Sequence, residues 1–390
     1  MTRDRVLVAG AGPVGLTAAL WLARAGVPVT VLERRDSLNT ASRASTFHPP
    51  TIAILHALGV AGVILREGAL VDRIQHRSPD AVLAEFRLDL LADETPFPAR
   101  RHLEQARLTP DMAAALPQGS LRFDAGVAMV DQDGDGVTAV LESGVRVTGR
   151  LLIAADGARS RVRDALGIGF PGTDYPHKVL RVMTEDDLMQ RLPGLAPISY
   201  LHNGRFSASF LRMPDLWRII LRVPAEVPEE VAMADDWTLA RLRDVLPSWT
   251  RLPAIARRDV YGASRRVADR VVQGRIVLIG DAAHVTNTRG GMNMNAGIHD
   301  AAAVARAIAM SWPALDLRAV HAAAAERHRV AQDMLLPRTD RSVAATADWL
   351  ADLRALADDP RRARAYLRET AMLDMLPRDL VAGPRARVTT

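Results

Sequence analysis

The run Val6-Leu7-Val8-Ala9-Gly10-Ala11-Gly12-Pro13-Val14-Gly15 leaves this chain little freedom in how it can fold. Four apolar residues ending on glycine read as a buried parallel strand. Gly10-x-Gly12-x-x-Gly15 then reads as the turn from that strand into a helix. In such a turn the first glycine permits the tight bend, the second lets backbone approach a pyrophosphate, and the third lets helix and strand pack closely. Helical periodicity from Val14 to Ala25 stops at Gly26, Val27–Leu32 reads as the next strand, and Glu33 ends it. A carboxylate there accepts hydrogen bonds from ribose hydroxyls and repels a 2′-phosphate. The helix opening near Pro13 offers free N–H groups and a positive dipole end, worth on the order of 0.3–2 kcal/mol for an anion.

A second segment, far along the chain, has the same character. Arg275-Ile276-Val277-Leu278-Ile279 is another buried-strand pattern, and Gly280-Asp281-Ala282-Ala283-His284 follows it. Asp281 can reach the ribityl or pyrophosphate part of the same nucleotide. Gly290-Gly291-Met292-Asn293-Met294-Asn295 then precedes a helix, whose backbone N–H groups can meet an electron-rich ring edge. Two such half-sites predict one cofactor held by both ends of the sequence.

At 390 residues the chain exceeds the roughly 250–300 at which single cores stop growing, so two domains are expected. With no cysteine, disulfides, thiolate metal sites and cysteine nucleophiles are excluded. His48, His56, His76 and His102 lack metal-site spacing, so no metal is expected, and no Gly-x-Ser-x-Gly elbow occurs. The net charge of +5 comes almost wholly from scattered arginine, Lys178 being the single lysine. Without interleaved aromatics this is a set of solvated faces and not a nucleic-acid footprint. Arg3 and Arg5 before the apolar run to Ala23 have the outline of a signal peptide. The glycines at phosphate-loop spacing and the continuation to Glu33 argue against that reading. No other stretch is long and apolar enough to span a bilayer, so a cytoplasmic protein with no membrane partner is expected.

Thr51–Leu58 and Gln105–Leu116 read as helices, the latter with Pro110 at a tolerable first-turn position. Leu121–Val147 reads as strands joined by turns, and Leu151–Ala155 as a further buried strand closing in Asp156-Gly157. Between Gly169 and Arg270 the character changes. Ile198–Leu201 and Phe206–Met213 flank Asn203-Gly204, a hairpin signal, and Trp217–Val223 follows as another strand. Trp237–Leu246 is a helix, and from Ala296 onward the chain is Ala/Arg-rich helix. The expected fold is α/β: a Rossmann-like nucleotide-binding domain with a parallel sheet (1–72, 100–169 and 271–390, with the C-terminal helices), plus an inserted antiparallel substrate domain (73–99 and 170–270).

Taken together the chain resembles the flavoprotein monooxygenases of the para-hydroxybenzoate hydroxylase type. The resemblance rests on Gly10–Gly15 with Glu33; Arg43-Ala44 before the Thr51–Leu58 helix; Ala155-Asp156-Gly157-Ala158-Arg159-Ser160; and Gly280–His284 with Gly290–Asn295. It covers roughly 6–60, 151–165 and 275–306, and is thin across 170–270. It implies FAD, cradled by Gly10, Gly12, Pro13, Val14 and Gly15, with Glu33 and Arg34 toward the adenosine ribose and Asp281 near the ribityl and pyrophosphate. Gly291, Met294 and Asn295 would meet the flavin ring. Arg43, Gln105, Val127 and Asp156 match further cofactor positions, with Arg159 and Arg163 near phosphate. The loop departs from the family at Asn287-Thr288, where Pro-Pro is usual and faces substrate; Arg289 follows. The Trp-x-Trp-x-Ile-Pro motif of flavin halogenases is absent.

The implied reaction uses NADH or NADPH and O2 to hydroxylate an aromatic or polyketide-like small molecule, through a flavin C4a-hydroperoxide, in a monomer or homodimer. The flavin carries the hard chemistry, so no protein nucleophile is required. A base that ionises a phenol would help, and Tyr200, His202 and Arg212 on the inserted sheet are the candidates. Two other readings share the scaffold: a flavin-dependent reductase or dehydrogenase, and a redox-silent FAD-binding protein.

Overall fold

The computed structural model describes residues 3–41, 44–204, 206–341, 347–377, 379–380 and 383. A six-stranded sheet carries the nucleotide half, in the order Val272–Gln273, Ile276–Leu278, Leu151–Ala154, Val6–Ala9, Val29–Leu32, Leu121–Arg122. Its strands run parallel except Val272–Gln273, which forms a hairpin with its neighbour. Every residue of Val6–Ala9, Val29–Leu32 and Leu151–Ala154 is buried, as a sheet covered on both faces requires. Val6–Ala9 has Val29–Leu32 on one side and Leu151–Ala154 on the other. The chain order reverses there, which opens a crevice at the C-terminal strand ends.

Three motif turns gather at that crevice. Ala155 N bonds Ala9 O at 2.9 Å and Ile279 N bonds Ala154 O at 3.0 Å, so the turns at Gly10, Asp156 and Gly280 leave neighbouring strands side by side. The helix Pro13–Arg24 follows the first turn, and the long helix Asn293–Ser311 packs across it. Their approach is close: a Cβ built on Gly297 would lie 2.7 Å from Val14 Cγ2 and 3.1 Å from Gly280 Cα. The two ends of the sequence therefore share one site, as the paired motifs predict.

The second large sheet has seven strands, ordered Arg257–Tyr261, Lys178–Thr184, Trp217–Val223, Phe206–Arg212, Ile198–Asn203, Arg73–Arg77, Val82–Arg87. All pairings are antiparallel except Ile198–Asn203 with Arg73–Arg77, where two separate sequence segments meet without a hairpin. Period-two alternation gives the sheet two different faces. One carries Leu180, Val182, Leu201, Phe210, Ile219 and Leu221 into a core with the helix Asp235–Val245. The other carries His76, Tyr200, Arg218 and Arg222 and faces the nucleotide half, where Arg218 Nη1 donates to Ser45 Oγ at 2.7 Å.

Two expectations change. The helix Gln105–Ala114 begins where the bonds Leu103 N–Ser45 O and Gln105 N–Ala44 O end, so Pro110 falls inside it and not in its first turn. The last helices, Ala347–Asp358 and Pro360–Thr370, pack chiefly on the large sheet. Among the described residues they meet the nucleotide-binding domain only at their end, where Arg100 Nη2 donates to Thr370 O at 2.7 Å. Leu353, Ala363, Leu367 and Ala371 join a core with Ile74, Ala84, Phe86 and Tyr200, covering the Val82–Arg87 edge of the large sheet. An uncovered edge strand is an aggregation hazard, which gives these helices a physical reason to dock there. Among the described residues no helix is long and apolar enough to cross a membrane.

Candidate functional site

The first loop is shaped by excluded volume. Gly10 adopts φ +99°, and a Cβ on it would come within 2.5 Å of Ala155 O; one on Gly15 would overlap the Gly10 carbonyl. Gly12 differs, because a Cβ there would meet nothing within 4 Å. Open room thus lies beside the residue whose backbone is expected to approach a pyrophosphate, and no side chain caps the helix that follows. Glu33 is anchored by accepting from Ala11 N at 2.7 Å and Arg35 N at 3.1 Å. Ala125 N bonds Glu33 O at 2.8 Å, and the Arg34 side chain passes over Gly126, so Glu33, Arg34 and Val127 share one rim of the crevice.

The other walls hold unsatisfied polar atoms. Asp156 Oδ2 accepts from Val162 N at 3.2 Å, while its Oδ1 is buried without a hydrogen-bond partner. Burial pushes this carboxyl above its ordinary range. Asn293 Nδ2 donates to Asp281 Oδ1 at 2.6 Å, leaving Asn293 Oδ1 buried and without a partner. A buried polar atom left bare costs about 1–3 kcal/mol. These atoms, the room at Gly12 and the uncapped helix together fit a bound FAD.

The second loop is held by side chains. Asn295 Oδ1 accepts from His48 N at 3.0 Å, and its Nδ2 donates to Thr46 O at 2.8 Å and Gly291 O at 2.7 Å. The Asn295 amide thus builds the loop and leaves its backbone as the group that can meet a flavin. Gly291 sits at φ +62°, with Thr46 filling the space a side chain would need. Behind the loop Asp300 is buried with His284 and Arg327. His284 Nε2 lies 2.7 Å from Asp300 Oδ2, Arg327 Nε donates to Oδ1 at 2.9 Å, and Gly280 N donates to Oδ2 at 3.2 Å. Burial alone would raise the Asp300 carboxyl, but His284 and Arg327 outweigh it and hold it well below the usual carboxylate range.

Asn287, where the family pattern has proline, turns the chain by other means. Its Oδ1 accepts from Arg289 N at 3.0 Å and its Nδ2 donates to Tyr175 OH at 3.2 Å. That turn carries Arg289 into a cavity lined also by Ile74, His76, Arg100, Tyr200, Gly290, Met292, Trp349, Tyr366 and Thr370. The cavity lies between the polar sheet face and the second loop. His76 stacks on Tyr200 with centroids 5.0 Å apart, and the Arg289 guanidinium stands over the Tyr200 ring at 5.3 Å. His76 Nε2 is 3.3 Å from Tyr366 OH, and His76 Nδ1 is 3.3 Å from His202 Nε2. Burial, with His202 and Arg289 adding to it, lowers His76 well below its ordinary value; burial with Arg289 and Arg222 takes His202 to about 4. Both rings are neutral at pH 7, whereas burial pushes the Tyr366 phenol upward, so it stays protonated. Tyr366 OH, His76 and His202 thus form one neutral chain of hydrogen bonds whose direction is set by the His76 tautomer.

The structure brings Gly10, Gly12, Pro13, Val14, Gly15, Asp156, Asp281, Gly291, Met294 and Asn295 to the crevice. Gln105 is buried at its helix start against Ala44, and Arg43 lies outside the described residues. Of the three candidate bases, Tyr200 lines the cavity and His202 stands behind His76. Arg212 does not belong there: its exposed guanidinium meets Met189 Sδ at 3.3 Å, because it shares the sheet face of Ala208 and Phe210, opposite to the face that carries Tyr200. His76, Tyr366 and Trp349 are absent from the sequence-based candidates. Trp349 and Tyr366 carry no local signal, being lone aromatics on helix faces. For His76 the only signal is its strand neighbourhood, polar within an otherwise paired sheet.

A parallel-sheet crevice with two glycine loops, an anchored ribose-side acid and an adjoining cavity defines an FAD-dependent enzyme with a separate substrate chamber. The chain matches the FAD binding domain family over residues 3–336 and belongs to it. It is an FAD-dependent monooxygenase of the aromatic-hydroxylase group. It is 30% identical over 326 residues to para-nitrophenol 4-monooxygenase of Pseudomonas sp. strain WBC-3, covering 79% of this chain and 78% of that protein. The crystal structure of p-nitrophenol 4-monooxygenase PnpA from Pseudomonas putida DLL-E4 superposes with a TM-score of 0.85 at 25% identity, covering 98% of this chain and 99% of that one. An aklavinone-11 hydroxylase in complex with FAD and aklavinone gives 0.75 at 28% identity, with 90% and 71% covered.

Proposed function

We propose that the chain is an NADH- or NADPH-dependent hydroxylase that inserts one oxygen atom of O2 into an aromatic or polyketide-like small molecule. The balance is substrate C–H, O2, NAD(P)H and a proton going to C–OH, water and NAD(P)+. When bound, FAD supplies the electron transfer and the oxygen activation. The observation that carries this reading is that one loop serves two chambers. Arg289, Gly290 and Met292 line the cavity, while Met292 also begins the long helix whose N-terminus faces the crevice. A ring bound in the cavity therefore lies next to the flavin end of the nucleotide site, against the aromatic faces of Trp349, Tyr366 and Tyr200. The relatives fit such a chamber, one named for para-nitrophenol and the other bound to aklavinone.

Residues 73–99 and 170–270 then supply the substrate side of the chamber, together with the last helices. The neutral His76–His202 pair, with His76 lining the chamber, offers a phenolic substrate a proton acceptor. With FAD-loaded protein and a panel of phenols and fused-ring aromatics, a substrate should accelerate NADH or NADPH oxidation. Oxygen uptake should match it, and the product should carry one oxygen from labelled O2. Oxidation that no aromatic accelerates and that incorporates no label would leave a reductase on the same scaffold; no oxidation at all would leave a redox-silent flavin protein.

A further inference from the structure

We propose that the large sheet holds a second small-molecule site, a wedge between two of its strands that takes an organic anion with an apolar body. Phe206–Arg212 and Trp217–Val223 are neighbours in the middle of the sheet, yet their pairing runs only from Arg212–Trp217 to Ala208–Leu221. Beyond that point the strands part. Phe206 and Ser207 stay with the strand on their other side, opposite Asn203 and His202, while Arg222 and Val223 stay opposite Val179 and Lys178. A cavity of about 250 Å³ fills the gap that opens between them.

Because the gap passes through the sheet, its walls come from both faces. Leu221, Val245 and Phe206 belong to the apolar core side, whereas Ser207 and Arg222 belong to the face turned toward the nucleotide half. Arg241, on the helix Asp235–Val245, also lines the gap. Its guanidinium stands 4.2 Å from the Phe206 ring centroid and its Nη2 lies 3.0 Å from Asp244 Oδ2, while its Nε is buried without a hydrogen-bond partner. An aromatic face holds a guanidinium plane in place, which favours a planar or tetrahedral oxyanion over a neutral acceptor. None of the described residues that line the cavity is acidic. Burial, then the charge on Arg289, brings Arg222 down to about 10, and burial, then the charge on Arg222, lowers His177 on the same wall. A negative group bound here would offset that crowding of positive charge.

The pairing of walls selects the ligand. Small-molecule sites combine an apolar lining with a few polar groups that fix orientation. An inorganic anion would leave Leu221, Val245 and Phe206 facing water, and a neutral hydrocarbon would leave the arginines without an acceptor. The wedge adjoins the substrate chamber, since Ser207 pairs with His202 and Arg289 acts on Arg222, but no described residue lines both cavities.

Holoprotein, without NAD(P)H or substrate, is titrated by calorimetry with an anilinonaphthalene sulfonate and with the phenylnaphthylamine that lacks its sulfonate. The sulfonate should bind a single site per chain, about tenfold or more tightly than the amine. Arg222→Met and Arg241→Met should each lower that preference at least about threefold, and Arg241→Lys, which keeps the charge, should retain most of it. Ser207→Phe fills the gap without removing charge and should weaken both probes about tenfold. Unchanged flavin absorbance per protein and an unchanged denaturation midpoint show which variants keep the fold, and any one of them suffices for the comparison. Equal binding of the two probes in wild type, no measurable binding of the sulfonate, or a preference that every folded wedge variant leaves within about twofold overturns the proposal. A preference lost in Trp349→Ala but kept in the wedge variants would place the probe in the chamber, and overturns it as well.

Discussion

The two glycine loops that meet in the crevice are built by opposite means. Gly10–Gly15 takes its shape from backbone packed on backbone: Gly10 against Ala155, Gly15 against Gly10, and Gly12 left open. Gly280–Asn295 takes its shape from side chains that arrive from elsewhere, with Asp300 holding Gly280 N, His48 bonded to Gly290 O at 2.9 Å, and Asn295 tying Gly291 to Thr46. A loop shaped by excluded volume records its geometry in its own few residues. One shaped by distant hydrogen bonds does not, and it can change its chemistry at positions such as Arg289 while keeping its path.

If this contrast holds, the loops should fail differently. Gly15→Ala is expected to have the largest effect, because the overlap with the Gly10 carbonyl has no flexible side chain to absorb it. A loss of at least about 4 kcal/mol is expected, read as insoluble protein or a much lowered denaturation midpoint without flavin. Asp300→Asn should cost about 3 kcal/mol by breaking a buried charge pair while the backbone path survives, so protein is recovered but binds FAD weakly. The pH dependence has a defined sign. The Asp300 carboxyl is depressed in the folded state, so its stabilisation is present above the ordinary carboxylate value and is lost as pH falls toward the folded one. The gap in urea midpoint between wild type and Asp300→Asn should therefore be constant near neutrality and narrow below about pH 4. A gap that widens on acidification would show that Asp300 is not the charged member.

The same contrast explains what was legible in the sequence. Strand Trp217–Val223 is found at the expected limits, as are Val6–Ala9 and the turn after it, because period and glycine spacing are local signals. Asp300 was not visible: one acid in an Ala/Arg-rich helix reads as a solvated face, yet it is buried against Gly280, His284 and Arg327, which come from other parts of the chain. Tyr366 was hidden for a different reason. It meets His76 across most of the chain, and only the docking of the last helices on the Val82–Arg87 edge brings them together. Arg212 shows the converse error: it lies on a strand of the right sheet, but the period-two alternation that it shares with Phe210 puts it on the face away from Tyr200.

The sharpest use of the comparison is the substitution with the smallest effect on folding. Gly12 has φ −73° and ψ 172°, a conformation any residue adopts, and a Cβ there meets nothing within 4 Å. By the packing of the protein alone, Gly12→Ala should shift stability by no more than about 1 kcal/mol, in either direction. The added methyl would occupy the room beside the backbone where a pyrophosphate is expected, so FAD affinity should drop at least about tenfold with the denaturation midpoint of the flavin-free protein nearly unchanged. Calorimetric titration with FAD, beside thermal unfolding of the stripped protein, reads the two quantities separately. Full flavin affinity in Gly12→Ala would mean that the open volume is not the phosphate seat, and that the first loop supplies packing while the second alone holds the cofactor.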